Sequence, residues 1–76
     1  MQLLSNAIRE HIKDLMQQQN LTVSELARRS GLTQSTVDSV LHTQNTNPRI
    51  DTIHKIIKAL NISVTEFFNH PTFKDL

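Results

Sequence analysis

The stretch LTVSELARRSGLTQSTVDSVLH, from Leu21 to His42, decides how this chain folds. It contains two short segments with helical spacing of apolar residues, separated by Gly31, the only glycine of the chain. Thr22 and Glu25 open the first segment with the spacing of a capping box, in which each side chain accepts a hydrogen bond from the other residue's amide. Thr33 supplies a cap for the second segment. Because glycine readily takes a left-handed conformation, the pattern predicts a helix, a tight turn and another helix.

The second of these helices, predicted from Gln34 to about Thr43, has one apolar and one polar side. At about 100° per residue, Val37, Val40 and Leu41 fall together on a helical wheel. The opposite arc is short of lysine and glutamate and carries groups that donate or accept hydrogen bonds: Gln34, Ser35, Asp38, Ser39 and His42. This composition favours a helix whose polar side makes specific contacts.

Three further helical segments surround this pair. One precedes it, with Ser5 as its expected cap and the polar run 17–20 as its end. A fourth is predicted from about Asp51 to Leu60, ending at Asn61, and a short fifth follows a capping box that begins at Ser63. Their apolar residues recur at helical spacing, at Leu4, Ile8, Ile12, Leu15, Ile53, Ile56, Ile57, Leu60, Val64, Phe67 and Phe68.

Length and composition restrict the possible classes of protein. The 76 residues fit a single domain over 1–76, with a core over 5–69 and a C-terminal tail over 70–76 that we expect to lack regular structure. Cysteine is absent, which fits a cytoplasmic protein. The apolar runs are too short for a membrane span, and no secretory signal is evident. The formal net charge of +1 does not by itself predict nucleic-acid binding.

Enzymatic and metal-binding functions lack their usual signals. The sequence has no cysteine, no glycine-rich phosphate loop and no recognisable nucleophile paired with a base, so we expect neither an enzyme nor a bound cofactor. The four histidines show no pair at the spacing of metal ligands on one helix, and we predict no metal site: His11, His42, His54 and His70.

The predicted helix pair has the dimensions of a DNA-reading element. A helix with its side chains is about 10–12 Å across, and the major groove of B-form DNA is about 12 Å wide. In such a unit, the N-terminal residues of the second helix meet base edges while the first helix lies across the backbone. The stretch from 21 to 42 therefore predicts a DNA-binding module.

The same stretch, followed by NPRIDTIHKIIKALNISVTEFF, resembles the Cro/repressor-type (XRE-type) helix-turn-helix family. That family's pattern is L-T-Q-x-E-L-A, then G-[VL]-[ST]-Q-x-x-[IV]-S, then P-x-x-x-T-[LI]-x-K-I-x-x-A-L, followed by a short capped helix. The match extends from Ile8 to Phe68. It implies an all-α, compact five-helix lambda-repressor-like bundle, in which helices 2 and 3 form the helix-turn-helix and the third helix reads double-stranded DNA.

The resemblance also implies which residues contact bases. Gln34 matches the family's glutamine at the start of the recognition helix, and glutamine can pair with both N6 and N7 of adenine. Ser35 and Ser39 take neighbouring positions, where hydroxyls act directly or through water. Asp38 either accepts from cytosine N4 or orients Gln34 or Arg49. The expected base contacts are thus Gln34, Ser35, Asp38 and Ser39.

Phosphate contacts in this family come from the amino end of the second helix and from the loop after the third. A helix N-terminus favours anions because its free amides carry partial positive charge. The corresponding residues here are Thr22, Val23, Ser24, Thr33, His42, Thr46, Asn47 and Arg49. Arg28 and Arg29 lie at the other end of the second helix, where we expect them to complement the negative end of its dipole.

Two departures from the family pattern bear on affinity. Val23 replaces the family's glutamine in the second helix, which removes one side-chain contact to phosphate. Many relatives pair an arginine late in the first helix with a glutamate in the third. Met16 and Leu41 stand at those positions, so we expect an apolar contact, which is often as stable as a buried ion pair. We infer a weaker attraction to the DNA backbone and a greater dependence on dimerisation.

Apolar residues near the C-terminus allow two interpretations. Phe67, Phe68, Phe73 and Leu76 either pack within the chain or form a two-fold contact between copies. A homodimer would place two recognition helices in major grooves about 34–36 Å apart and would repress transcription by blocking polymerase. The alternative is an antitoxin or another protein-interaction module on the same fold, with a toxin or co-regulator as its partner.

Overall fold

The computed structural model describes residues 3–43, 47–74 and 76, and within these ranges all the regular structure is helical. Five α-helices and one turn of 3-10 helix follow in order: α1 (Leu4–Gln19), α2 (Val23–Ser30), α3 (Gln34–His42), α4 (Ile50–Ala59), α5 (Val64–Phe68) and the 3-10 segment Pro71–Phe73. The predicted all-α architecture is confirmed. None of the described helices is long and apolar enough to cross a membrane.

The start of α1 differs from the prediction that Ser5 caps it. Leu3 occupies the N-cap position with extended backbone angles and no side-chain cap. Ser5 already lies inside the first turn, where its buried hydroxyl has no hydrogen-bond partner in the described structure. A capping residue must have a non-helical backbone, which Ser5 lacks, so the prediction is wrong. Asn20 ends the helix in the left-handed region, with φ of 56°.

The boundaries of α2 agree with the predicted caps. The Thr22 hydroxyl accepts a hydrogen bond from the Glu25 amide at 3.1 Å. In return the Glu25 carboxylate accepts from the Thr22 hydroxyl at 3.4 Å, whereas the sequence pattern had predicted the Thr22 amide as its donor. Gly31 ends the helix with φ of 75°, and its amide donates to the carbonyl of Ala27. A Cβ on Gly31 would meet nothing within 4 Å, so it is the left-handed backbone that favours glycine here.

The core draws on all five α-helices. Each contributes a side chain with no exposed surface: Ile12, Leu26, Val37, Ile56 and Phe67. Fully burying a side chain of this kind stabilises the folded state by about 1.5–3 kcal/mol. Met16 and Leu41 are also buried in this cluster. Both positions therefore hold core apolar side chains, and a direct contact between the two stays a prediction.

The C-terminal residues are more ordered than the sequence analysis predicted. The capping box before α5 is present, with the Glu66 amide donating to the Ser63 hydroxyl at 3.0 Å. After α5, however, residues 71–73 form a turn of 3-10 helix, so the prediction of an irregular tail is wrong there. Pro71 stands at the start of this turn, and His70 Nδ1 accepts from the Thr72 amide at 3.1 Å. Proline has its φ fixed near the helical value, which favours this short helix.

An aromatic cluster attaches this tail to α1. The His11 ring lies 4.7 Å from Phe67, 4.1 Å from His70 and 5.6 Å from Phe73 between centroids. Phe67 has no exposed surface, and its ring also packs against Phe68. The side chain of Phe67 therefore cannot contact a second copy, which corrects its assignment to a dimer interface. Its ring instead packs within the chain, against His11, Phe68 and Phe73.

Candidate nucleic-acid interface

The exposed face of α3 carries the residues expected to contact bases. Val37, Val40 and Leu41 bury the opposite face in the core shared with α1 and α2. On the outside, five side chains are exposed along two turns of helix: Gln34, Ser35, Asp38, Ser39 and His42. The structure thus brings all four predicted base contacts onto one surface. A helix of nine residues presented in this way fits the width of a major groove.

The amino end of α3 is closed by threonine side chains. The Thr33 hydroxyl accepts from the Thr36 amide at 3.1 Å and donates to the Thr36 hydroxyl at 2.9 Å. This cap fixes the first turn of the helix, and with it the backbone positions of Gln34 and Ser35. Thr33 was predicted to contact phosphate. Because its hydroxyl proton is already shared with Thr36, such a contact would require the hydroxyl to rotate away.

Asp38 and His42 form a pair that the sequence analysis did not identify. The Asp38 carboxylate lies 3.4 Å from His42 Nε2, and both side chains are more than half exposed. Their spacing of four residues, which places side chains on one helix face, was the available signal. Asp38 had been expected to accept from cytosine or to orient Gln34 or Arg49. In the structure its described partner is His42 instead.

The amino end of α2 is the start of the helix-turn-helix in sequence, and it contains three of the predicted phosphate contacts. Thr22 and Ser24 are exposed, whereas Val23 is partly buried and packs against the core. Val23 can therefore offer an anion only its backbone amide. The helix N-terminus supplies the partial positive charge that such a contact needs.

A cleft separates α3 from the segment leading into α4. It encloses about 440 Å³ and is lined by Ser35, Thr36, Ser39, Val40, Asn47, Pro48, Arg49 and Thr52. Two predicted base contacts and two predicted phosphate contacts therefore share one concave surface. The sequence analysis missed Thr36 and Thr52, because no local pattern shows that they line the same cleft. Thr46, another predicted phosphate contact, lies outside the described residues.

Arg49 has the freedom to act as a phosphate contact. Its side chain is 84% exposed, and a guanidinium nitrogen lies 3.8 Å from the Asp51 carboxylate. An exposed ion pair of this kind contributes only about 0–1 kcal/mol. A phosphate group can therefore replace Asp51 as the partner at little energetic cost. Asn47, the neighbouring predicted contact, is also exposed.

An apolar groove runs beside this interface, between α1, α4 and α5. The α1–α4–α5 groove is lined by Leu4, Ser5, Ile8, Asn47, Pro48, Ile50, Asp51, Ile53, His54, Ile57, Val64 and Phe68. Ile50 is 85% exposed and Leu4 is 52% exposed, which is unusual for large aliphatic side chains. Of the predicted dimer contacts, only Phe68 lies in this groove. Phe73 is half-buried in the aromatic cluster, and Leu76 is exposed elsewhere.

The histidines are arranged differently from what their spacing suggested. His11 and His70, far apart in the sequence, stack with ring centroids 4.1 Å apart. Burial of His11, followed by the proximity of His70, lowers the pKa of His11 below its ordinary value. In the part of the chain that the structure describes, no three histidine, cysteine, aspartate or glutamate residues are grouped so as to hold a metal ion.

The arrangement defines a class of protein: a helical domain in which one short helix buries its apolar face in the core and exposes its polar face. The model of the Cro/C1-type helix-turn-helix DNA-binding domain matches residues 11–72. The chain therefore belongs to the Cro/C1-type helix-turn-helix family.

Similar proteins agree with this placement. The chain is 33% identical over 66 residues to the HTH-type transcriptional regulator PuuR of Escherichia coli (strain K12), covering 87% of this chain and 35% of that protein. It is 32% identical over 60 residues to an uncharacterized HTH-type transcriptional regulator of Coxiella burnetii, covering 79% of this chain and 28% of the other. The chain thus spans about a third of the length of these relatives.

A solved structure matches over its whole length. The crystal structure of the prophage Lp1 protein 11 superposes with a TM-score of 0.81 at 37% sequence identity, and the match covers 100% of both chains. The similarity therefore includes the C-terminal residues as well as the helix-turn-helix.

Proposed function

We propose that this chain is a sequence-specific, double-stranded DNA-binding transcriptional regulator that represses by occupying its site. The observation that carries the proposal is the exposed polar face of α3, with Ser35 and Ser39 on the wall of the cleft that also contains Asn47 and Arg49. The proposed activity is binding, and it requires neither catalysis nor a cofactor. As a DNA-binding regulator it would act in the cytoplasm.

Base recognition is assigned to the first two turns of α3. Gln34 offers both a donor and an acceptor, so it can pair with adenine N6 and N7, a contact of about 1–3 kcal/mol in discrimination. Ser35 and Ser39 lie beside it on the cleft wall and can read base edges directly or through water. Asp38 accepts from cytosine N4 when His42 holds its carboxylate in place.

Backbone contacts are assigned to the two borders of this face. At the first border, the phosphates of one DNA strand contact the exposed Thr22 and Ser24 and the amide of Val23. At the second, Asn47 and Arg49 meet the other, joined by His42 and Thr46. Thr33 contributes once its hydroxyl turns from Thr36. Contacts of this type fix the register on DNA but carry no sequence information.

We further propose that two copies associate through the α1–α4–α5 groove. The exposed Ile50 and Phe68 would be buried by such an association, which removes apolar surface from water. Asp51 and His54 also line the groove, so a two-fold contact can bring one copy's carboxylate to the other's imidazole. Asn47 and Pro48 line both this groove and the cleft beside α3, so association through the groove would bring the clefts of the two copies close together.

DNA binding itself is tested by measuring the affinity for a random double-stranded oligonucleotide at a series of salt concentrations. A DNA-binding protein releases counterions, so the logarithm of its affinity falls linearly with the logarithm of salt, by about 0.9 per phosphate contacted. We expect such a slope for duplex DNA. No measurable binding at low salt would contradict the proposal and would instead favour an antitoxin or other protein-interaction module, whose apolar contacts do not weaken steeply with salt.

A further inference from the structure

A buried arginine connects α1 to the carboxyl end of the DNA-reading helix. Arg9 is only 3% exposed. Its Nε donates to the carbonyl of Val40 at 2.9 Å, and its Nη2 donates to the carbonyl of Thr43 at 2.7 Å. Its Nη1 donates to the side-chain oxygen of Asn6. All three guanidinium nitrogens therefore have partners.

The two carbonyls belong to the last turn of α3 and to its C-cap residue, Thr43, where a helix lacks its own donors. The last four carbonyls of a helix have no intrahelical partner, and together they form the negative end of the helix dipole. Arg9 satisfies two of these groups and adds a compensating positive charge. A planar guanidinium with a fixed fork can reach both carbonyls at once, which the single ammonium of lysine does less well.

These contacts determine where the second half of α3 lies. Ser39 precedes Val40 directly, and His42 lies between the two carbonyls that Arg9 holds. A displacement of this end would move both side chains relative to a DNA groove, and it would also move the start of the segment that leads to Asn47. Because Arg9 belongs to α1, it relates the DNA-reading helix to the body of the domain.

We propose that Arg9 is a positioning residue for DNA recognition: it fixes the carboxyl end of α3 through Val40 and Thr43 and never contacts DNA. The inference rests on the proposed function of α3. Burial of the guanidinium inside the chain excludes it as a phosphate contact. Its effect is therefore on which sequence binds, not on how many phosphates are neutralised.

The test compares Arg9→Met, Arg9→Lys and wild type, with Lys13→Met as a matched control. Lys13 lies one turn further along α1, and its partly exposed ammonium is paired with Glu10 at 3.8 Å. Lys13→Met therefore removes one positive charge from the same helix without touching α3. Circular dichroism first identifies a temperature at which every variant is fully folded, and all binding is measured there.

The first measurement is the ratio of two affinities at several salt concentrations. One is the affinity for a selected duplex, meaning one that wild type enriches from a random pool, and the other is the affinity for a random duplex. Arg9→Met should lower this ratio by about ten-fold, the size of one lost base contact, with the salt slope unchanged. Arg9→Lys should lower it less, and Lys13→Met should leave it as in wild type. An unchanged ratio in a fully folded Arg9→Met would overturn the proposal. A slope of log affinity against log salt that is smaller by about one would overturn it too, because that is the effect of losing one phosphate contact.

The second measurement does not need DNA. Amide hydrogen exchange followed by NMR should accelerate at residues 40–43 in Arg9→Met, while residues 24–30 of α2 keep their wild-type rates. Equal acceleration in both helices would mean that Arg9 stabilises the whole fold without positioning α3, and the proposal would fail. If wild type shows no preference for any duplex, the proposed function fails, and this measurement still decides whether Arg9 holds α3.

Discussion

Asp38 and His42 face each other across one turn of α3, with a carboxylate oxygen 3.4 Å from the imidazole Nε2. The pair occupies the centre and the end of the face that we assign to DNA. It joins a residue expected to read a base to one expected to meet phosphate. A carboxylate on this face repels the DNA backbone, so its presence favours selectivity over affinity.

Replacing Asp38 should therefore separate affinity from selectivity. Asp38→Asn removes one negative charge near the backbone and should raise the affinity for random duplex DNA about five-fold, since one unit charge at 4 Å in water is worth about 1 kcal/mol. The affinity for a selected duplex should rise less, so the ratio of the two falls. Fluorescence anisotropy at fixed salt measures both. Glu10→Gln, an equal charge change on the exposed side of α1, is the control and should have a smaller effect.

Arg49 should behave as a pure phosphate contact. Arg49→Met should weaken binding to all duplexes by a similar factor and reduce the slope of log affinity against log salt by about one. The ratio between selected and random duplexes should stay as in wild type. Lys55→Met, which removes an exposed charge from α4, is the comparison. A loss of selectivity in Arg49→Met would show that the arginine reads bases instead.

The dimer proposal predicts that a charged side chain at Ile50 weakens self-association. Ile50→Asp places a carboxylate in the apolar groove and should weaken self-association at least about ten-fold, as for a residue at the centre of an interface. Analytical ultracentrifugation over a range of concentrations measures this. Leu3→Asp introduces the same residue at an exposed apolar position that does not line the groove, and should leave association unchanged. Equal effects of the two changes would point to a different interface.

Stability should decrease when the solution is acidified, because of His11. Burial and the neighbouring His70 lower the pKa of His11 below its ordinary value of 6.5, against the smaller opposing effects of Asp14 and the Phe67 carbonyl. Above pH 6.5 the imidazole of His11 is neutral in both the folded and the unfolded state. In that range its protonation does not lower the free energy of unfolding. Below that pH the unfolded chain takes up the proton first, so stability is lost as pH falls towards the folded-state pKa.

Urea unfolding between pH 8 and pH 5 checks this expectation. His11→Phe keeps an aromatic ring against Phe67 and Phe73 but does not titrate, so the free energy of unfolding should depend less on pH than in wild type. A dependence in His11→Phe equal to that of wild type would assign the effect to another group.

Gly31 should be the least replaceable residue of the turn. Gly31→Ala must keep φ of 75°, which costs an ordinary L-residue about 1–2 kcal/mol. Since no atom lies within 4 Å of the added Cβ, the whole loss in the free energy of unfolding should come from the backbone. Urea unfolding of this variant measures it. Asn20→Gly, at the other left-handed helix end, should not destabilise, because glycine adopts that conformation freely.

Local signals in the sequence were sufficient for most of the fold. The caps at Thr22, Thr33 and Ser63 and the stop at Gly31 depend on residues within one turn, so the pattern alone could place them. Ser5 failed because its environment is set by Leu3, which takes the extended conformation before α1. The turn at 71–73 was missed because its stability comes from ring contacts with His11, a residue far away in sequence.

The candidate site shows the same difference between features set by nearby residues and features set by residues far away in sequence. The exposed face of α3 follows from helical periodicity, and its residues were all predicted. The partners of Arg9, by contrast, are 31 and 34 residues further along the chain. Nothing in the local pattern marks Arg9 as buried, since a charged residue on an amphipathic helix normally faces solvent. Its role becomes visible only when α1 and α3 are packed together.

Selection of bound duplexes from a random pool, run in parallel for wild type, Gln34→Ala and Gln18→Ala, tests the central claim most directly. Gln18 is an exposed glutamine of α1 and serves as the control. We predict that wild type and Gln18→Ala enrich the same inverted repeat, with half-sites about one helical turn apart, and that Gln34→Ala loses the preference at one position of each half-site. No enriched sequence at low salt, or identical enrichment with Gln34→Ala, would contradict the assignment of base recognition to α3.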